Sequence, residues 1–389
     1  MAIRKEAAAG KAFAALKEAY GNRKAVLQDL RKKGAKTVLV AGYDVPDEAV
    51  LAAGMVPFRV TGYYGGPRES AEKYLEYSFG AIWKGLWESL AEDYAGLADY
   101  CVFCGSSDMF LKLYYYFRTL KRIEPERKLP EFFYIDYELV DKKLKTQERN
   151  EREINRFIAQ LESWSGNKVT EAGLKEAIGL CNEYRQALRA FTELRKKDNC
   201  RVNGSEALTV IGGSMFMDRK AAVEAVKAVT EEAAAWPVVE GTRVYYAGSP
   251  QETTEVYEIA EASGCCVVGE DHDMGDRMFD TDVRTDIAPV SALAERLITR
   301  MPSSEKGSIK ERVKFVGEKL NETQAELFLT YMNKNDEAYV WDLPSIKRNV
   351  LEPNGIASYT IEGQTWPLTD PEGLKAKFAE MAKLGKEAK

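Results

Sequence analysis

Lys36-Thr37-Val38-Leu39-Val40-Ala41-Gly42-Tyr43, followed at once by Asp44-Val45-Pro46-Asp47-Glu48, is the stretch that decides the fold. An unbroken apolar run without polar alternation suits a strand buried on both faces, the mark of a parallel sheet. Gly42 closes the run, and Pro46 with Asp47 and Glu48 opens a helix. Proline pre-sets φ there, and the two acids favour the positive end of the helix dipole. That helix ends near Gly54, and Pro57-Phe58-Arg59-Val60 begins a second strand.

The same rhythm continues outward. A helix is predicted around 70–95, a strand at Tyr100-Cys101-Val102-Phe103, a helix over 107–122 and a strand at Glu131-Phe132-Phe133-Tyr134-Ile135. Alternation of this kind predicts a parallel sheet with helices on both faces. Upstream, residues 4–34 read as one helix. Downstream, residues 140–200 are highly charged, with Ile154, Phe157, Ile158 and Leu161 at helical spacing, and read as a pair of long helices. Residues 206–235 are also helical in pattern. A second alternating block starts at Arg243-Val244-Tyr245-Tyr246-Ala247-Gly248. It runs through Cys265-Cys266-Val267-Val268, Ala338-Tyr339-Val340-Trp341 and Ala357-Ser358-Tyr359-Thr360-Ile361. The expected class is α/β: two doubly wound parallel-sheet (Rossmann-like) domains plus a helical segment. The boundaries are an N-terminal helix at 1–35, a first α/β domain at 36–140, a helical connection at 141–240 and a second α/β domain at 241–389.

Composition narrows the function. With 389 residues, 45% hydrophobic and 30% charged, the chain is an ordinary globular protein long enough for two cores. A net charge of −6 argues against nucleic acid as a partner. No apolar run nears the roughly 18 residues of a membrane span, and the charged N-terminus lacks the apolar centre of a secretion signal. A cytoplasmic location is expected. The six cysteines (Cys101, Cys104, Cys181, Cys200, Cys265 and Cys266) suit a reducing compartment. His272 is the one histidine, so His-rich zinc sites are excluded.

Ligands of doubly wound sheets sit beyond the carboxyl ends of the strands. The loops meeting that rule are Gly42-Tyr43-Asp44, Cys104-Gly105-Ser106-Ser107-Asp108, Gly248-Ser249-Pro250, Glu270-Asp271-His272-Asp273 and Trp341-Asp342. Gly248-Ser249 reads as an anion cradle or as a helix cap. On a strand, Cys101 and Cys104 point to opposite faces. Cys101 is then a core residue and Cys104, at the strand end, the better functional candidate. Cys265-Cys266 reads as core. The acidic loop 270–276 is a cation site or a solvated turn. Tyr114-Tyr115-Tyr116-Phe117 reads as helical core, and Tyr63-Tyr64-Gly65-Gly66 as a loop able to stack on a planar ligand.

In this order the segments resemble the 2-hydroxyacyl-CoA dehydratase and benzoyl-CoA reductase family. Residues 44–57, Asp-Val-Pro-Asp-Glu-Ala-Val-Leu-Ala-Ala-Gly-Met-Val-Pro, are similar to its VPEELIYAAGMLP signature. Ser107-Asp108 leading to Leu113-Tyr114-Tyr115-Tyr116-Phe117-Arg118 resembles a CDxxRxLYxxWR segment. The run 264–271 with Arg277 resembles GAxVVxDD…R. Asp342, Gly355-Ile356, Ile361-Glu362 and Gly363-Gln364 resemble a C-terminal CDP…GIP…IE…GQ region.

The resemblance implies CoA-thioester substrates. It also implies a 4Fe–4S cluster held by three cysteines and charged with one electron by an ATP-hydrolysing iron–sulfur activator. A ketyl radical would then allow loss of a hydroxyl or reduction of an aromatic ring. At the positions where the family places those cysteines this chain has Gly80, Ser107 and Trp341, none of which supplies a thiolate. The expectation is a chain with no cofactor of its own, paired with a homologous cluster-bearing subunit as a heterodimer. A stand-alone relative binding another small ligand in the inter-domain cleft is the second reading, and a cluster protein using Cys104 the third. The expected cleft groups are Gly80, Ser107, Asp108, Ser249, His272, Asp273 and Trp341, with Cys104 as the one candidate metal ligand.

Overall fold

The computed structural model describes residues 3–62, 68–138, 144–196, 200–301, 303–336 and 338–387. The Tyr63-Tyr64-Gly65-Gly66 loop lies outside them. Among the described residues, eight strands form two sheets. β1 (Thr37–Ala41), β2 (Val56–Arg59), β3 (Tyr100–Cys104) and β4 (Glu131–Ile135) make the first, in the order β2-β1-β3-β4. β5 (Thr242–Gly248), β6 (Cys265–Asp271), β7 (Leu327–Asn333) and β8 (Ala357–Gln364) make the second, in the order β6-β5-β7-β8. Every pairing is parallel, with Leu39 opposite Cys101 in one sheet and Val244 opposite Leu327 in the other. The expected pair of doubly wound sheets is therefore present.

Each sheet grows outward from its first strand in one direction and then in the other, so each has a topological switch point between its first and third strands. A glycine stands at both points. A Cβ on Gly42 (φ +114°) would lie 2.3 Å from Cys104 Sγ, and one on Gly248 (φ +144°) 1.9 Å from the Tyr331 carbonyl oxygen. Only glycine accepts that backbone and that closeness.

Helices cover both faces. The charged stretch forms the two 22-residue helices Leu144–Ser165 and Glu171–Thr192. Helix Pro289–Thr299 follows β6 in the chain yet buries Ala292, Leu293 and Leu297 with Val38, Val40 and Val102 of the first sheet. One apolar cluster joins Leu39 and Phe103 of the first sheet to Tyr246 and Leu329 of the second. Among the described residues, no helix is long and apolar enough to cross a membrane.

Three element assignments need correction. The stretch around 70–95 is not one helix but Glu69–Tyr74 and Ala81–Glu88, the second running into a π-helical turn at Ser89–Asp93, because the backbone is extended at Leu75 and Gly80. The N-terminal stretch is three helices, Lys5–Ala9, Lys11–Gly21 and Arg23–Lys32, because Gly10 and Asn22 interrupt it. At the first break the Ala12 N–H donates to Glu232 Oε1 (3.1 Å), so a distant carboxylate caps the new helix. Ala338-Tyr339-Val340-Trp341 begins helix Ala338–Ile346 and is no strand. The strand of that region is β7, whose seven residues are all buried and which sits at the centre of its sheet.

Candidate functional site

The two switch points face each other across one cavity of about 370 Å3. From the first sheet come Tyr43, Ser106, Ser107 and Asp108, and from the second Gly248, Pro250, Asn333 and Asp336. Gly80 and Trp83, Asp273 and Arg277, and the loop carrying Glu305 and Lys306 close the remaining sides.

On the first side Ser107 caps helix Asp108–Ile123, its Oγ accepting from the Met109 N–H at 3.2 Å. Ser106 Oγ accepts from the Tyr43 N–H at 3.1 Å and lies 3.3 Å from Cys104 Sγ. Cys104 is thereby packed beneath the Gly42 turn, and burial raises its thiol above the ordinary cysteine value. Asp108 is held below the usual carboxylate range by Lys306, 2.9 Å away across the mouth.

On the second side Ser249 is buried behind the wall. Its Oγ donates to Asp336 Oδ2 and accepts from the Asn333 N–H at 2.9 Å. Asn333 lies where the ladder to β8 loses regular register between Tyr331 and Asn333, a bulge of the kind found beside functional sites.

The base is a buried ionic network at the end of β6. Arg195 binds both oxygens of Glu270 at 2.6 and 2.7 Å, and also Asp276 at 2.7 Å. Arg312 joins Asp271 to Asp342, and the Tyr339 hydroxyl donates to the Asp271 carbonyl oxygen. Arg277 Nη2 donates to Asp273 Oδ1 at 2.5 Å, and burial raises the Asp273 carboxyl. Paired charges hold the loop geometry here, because unpaired ones would be too costly to bury.

Of the candidates from sequence, Gly80, Ser107, Asp108 and Asp273 line this cavity, and Ser249 reaches it through Asp336. His272 does not line it. Its Nδ1 accepts from the Met274 N–H, its Nε2 faces the Tyr257 hydroxyl at 2.9 Å, and Tyr246 packs edge-on at 5.4 Å. Burial first, and then Arg277 and Arg195, hold that imidazole well below its ordinary pKa, so it is a neutral core group. Trp341 lies on the outer face of its helix, 75% exposed. Arg277 entered the sequence reading only within the 264–277 match, and Asn333 and Glu305 were missed. Asn333 was within reach of the strand-end rule, had Leu327–Asn333 been recognised as a strand.

The residues at this cavity do not fit a 4Fe–4S cluster. The wall carries Gly80 and Ser107 where thiolates would be needed, Trp341 points away, and the lining contains no cysteine. Among the described residues no three His, Cys, Asp or Glu side chains are grouped to hold a metal ion.

Fold and site together define a doubly wound α/β protein whose ligand cavity lies between two facing switch points. The chain belongs to the family described as 2-hydroxyglutaryl-CoA dehydratase, D-component, matched over residues 43–382. It is 26% identical over 347 residues to the (R)-phenyllactyl-CoA dehydratase beta subunit of Clostridium sporogenes, covering 87% of this chain and 89% of that one. It is 23% identical over 360 residues to lactoyl-CoA dehydratase subunit beta of Anaerotignum propionicum, covering 89% and 91%. With (R)-2-hydroxyglutaryl-CoA dehydratase subunit beta of Acidaminococcus fermentans it shares 22% identity over 266 residues, covering 68% and 69%.

Proposed function

We propose that this chain is the non-cluster subunit of a 2-hydroxyacyl-CoA dehydratase-like complex acting on CoA thioesters, working beside a homologous subunit that holds the 4Fe–4S cluster. An ATP-dependent iron–sulfur activator would supply the electron, and the chemistry would be radical elimination of the hydroxyl. One observation carries the reading. Two of the three positions where the resemblance requires cysteine, Gly80 and Ser107, lie on the wall of the switch-point cavity, yet that wall offers no thiolate. The three relatives, each a beta subunit of a CoA dehydratase, support the substrate class and a second subunit. This chain would then contribute cavity walls, water exclusion and a docking face.

Anaerobic co-purification from the native organism, followed by iron and sulfide analysis of the separated subunits, tests this. The expected result is a homologous partner carrying the iron, with dehydration requiring both chains and an ATP-hydrolysing reductase. Four irons bound to this chain alone, or turnover without a partner, would overturn it.

A further inference from the structure

Away from the cavity, two cysteines far apart in the chain meet. Cys200 Sγ lies 3.6 Å from Cys266 Sγ, although 66 positions separate them. Cys266 is a residue of β6, and both side chains are buried in the apolar cluster on one face of the second sheet. Its neighbour Cys265 points to the other face, toward the Phe378 carbonyl oxygen at 3.8 Å, as strand alternation requires. Cys200 lies on the irregular stretch between the short helix Glu193–Arg195 and helix Gly204–Ser214. Such a stretch opens locally more readily than a strand inside a sheet, so Cys200 is the member an outside reagent reaches first.

The surroundings make the two sulfurs unequal. The hydrogen bond from Cys266, together with Arg243 and Arg195, holds the Cys200 thiol below the ordinary cysteine value against the effect of burial. The same hydrogen bond and then burial push the Cys266 thiol up. A thiolate is the form that attacks a disulfide. Among the described residues no third metal-ligating side chain joins the pair, so it is a dithiol and not a metal site.

We propose that Cys200 and Cys266 are a reversible dithiol–disulfide pair, closed by low-molecular-weight disulfides, with Cys200 attacking and Cys266 resolving. The Cys200 thiolate attacks one sulfur of the external disulfide, forming a mixed disulfide and releasing one thiolate. Cys266 then gives up its proton and attacks the Cys200 sulfur, which closes the protein disulfide and releases the second thiolate. The two protein thiols lose two electrons, the external disulfide gains them, and the two protons go to the two released thiols. Closure would pin the stretch after Arg195 to β6. The end of that strand carries Glu270, which Arg195 binds, at the base of the cavity.

Treatment of the full native chain with hydroxyethyl disulfide, then alkylation and peptide mapping without reductant, tests this. Two of the six thiols should be lost, and the fragments bearing Cys200 and Cys266 should be joined, lighter by two hydrogens. Dithiothreitol should restore both thiols. The linked chain should have a higher Tm, because the cross-link restricts the unfolded chain. Cys266→Ala should stop at a mixed disulfide on Cys200, whereas Cys265→Ala should close as the wild type does. The proposal is overturned if the native chain keeps all its thiols, if another pair links, or if the link forms only after denaturation. A mixed disulfide that stays on wild-type Cys200, or a linked chain of lower Tm, overturns it as well. The wild-type map decides the question even where a variant folds poorly.

Discussion

Glu305 stands at the rim of the cavity, open to solvent on one side and facing protein on the other. Burial raises its carboxyl to about 7, opposed by the Ser107 hydroxyl, reinforced by Asp273 and Asp336, and opposed again by Arg277. The folded value lies above the ordinary one. The stability this group contributes is therefore fully present below about pH 4.5 and is lost as the pH rises through about 7. Glu305→Gln should flatten the dependence of Tm on pH across that window. The change should be on the order of 1 °C, because solvent still reaches the carboxylate. Tm measured from pH 4 to 8 in both proteins checks this, and parallel curves would refute it.

Helix Asp108–Ile123 aims Ser107 and Asp108 into the cavity, and its other face anchors it. Phe117 stacks on Trp87 with centroids 4.4 Å apart and packs against Phe103 of β3 and Phe132 of β4 at 6.1 and 5.4 Å. Phe117→Ala removes a fully buried ring at the junction of helix and sheet, and should cost about 3–5 kcal/mol. Denaturant titration should give a lower midpoint at unchanged slope. A loss below about 1 kcal/mol would mean that the aromatic cluster does not hold the helix.

At the scale of the molecule, Arg300 ties the halves together. It follows helix Pro289–Thr299 and donates to Asp44 Oδ1 at 2.6 Å, to the Tyr43 carbonyl oxygen at 2.8 Å and to the Arg277 carbonyl oxygen at 2.9 Å. The end of β1 is thus fixed to the loop that carries Arg277. Arg300→Met strands Asp44 as a buried unpaired carboxylate and should cost about 3–5 kcal/mol by equilibrium unfolding. A variant of wild-type stability would contradict this account of the junction.

The sequence by itself determined the class of fold and the family. The apolar run 36–43, the helix start at Pro46 and the later β–α alternation fixed doubly wound sheets, because strand burial and helix capping are local and leave periodic traces. The ordered matches around residues 44–57 did the same for family membership, and the absence of cysteine at 80, 107 and 341 was plain from the letters alone. Only the tertiary structure decided which strand-end loops share a site. It joined the turns after β1 and β3 to those after β5 and β7, and it sent His272 into the core and Trp341 to the surface. It also set Cys200 beside Cys266. The shared cavity depends on contacts as distant as Arg300 with Tyr43, 257 positions apart, and the fate of single side chains on which polar groups find partners once the two sheets pack. No local pattern encodes either.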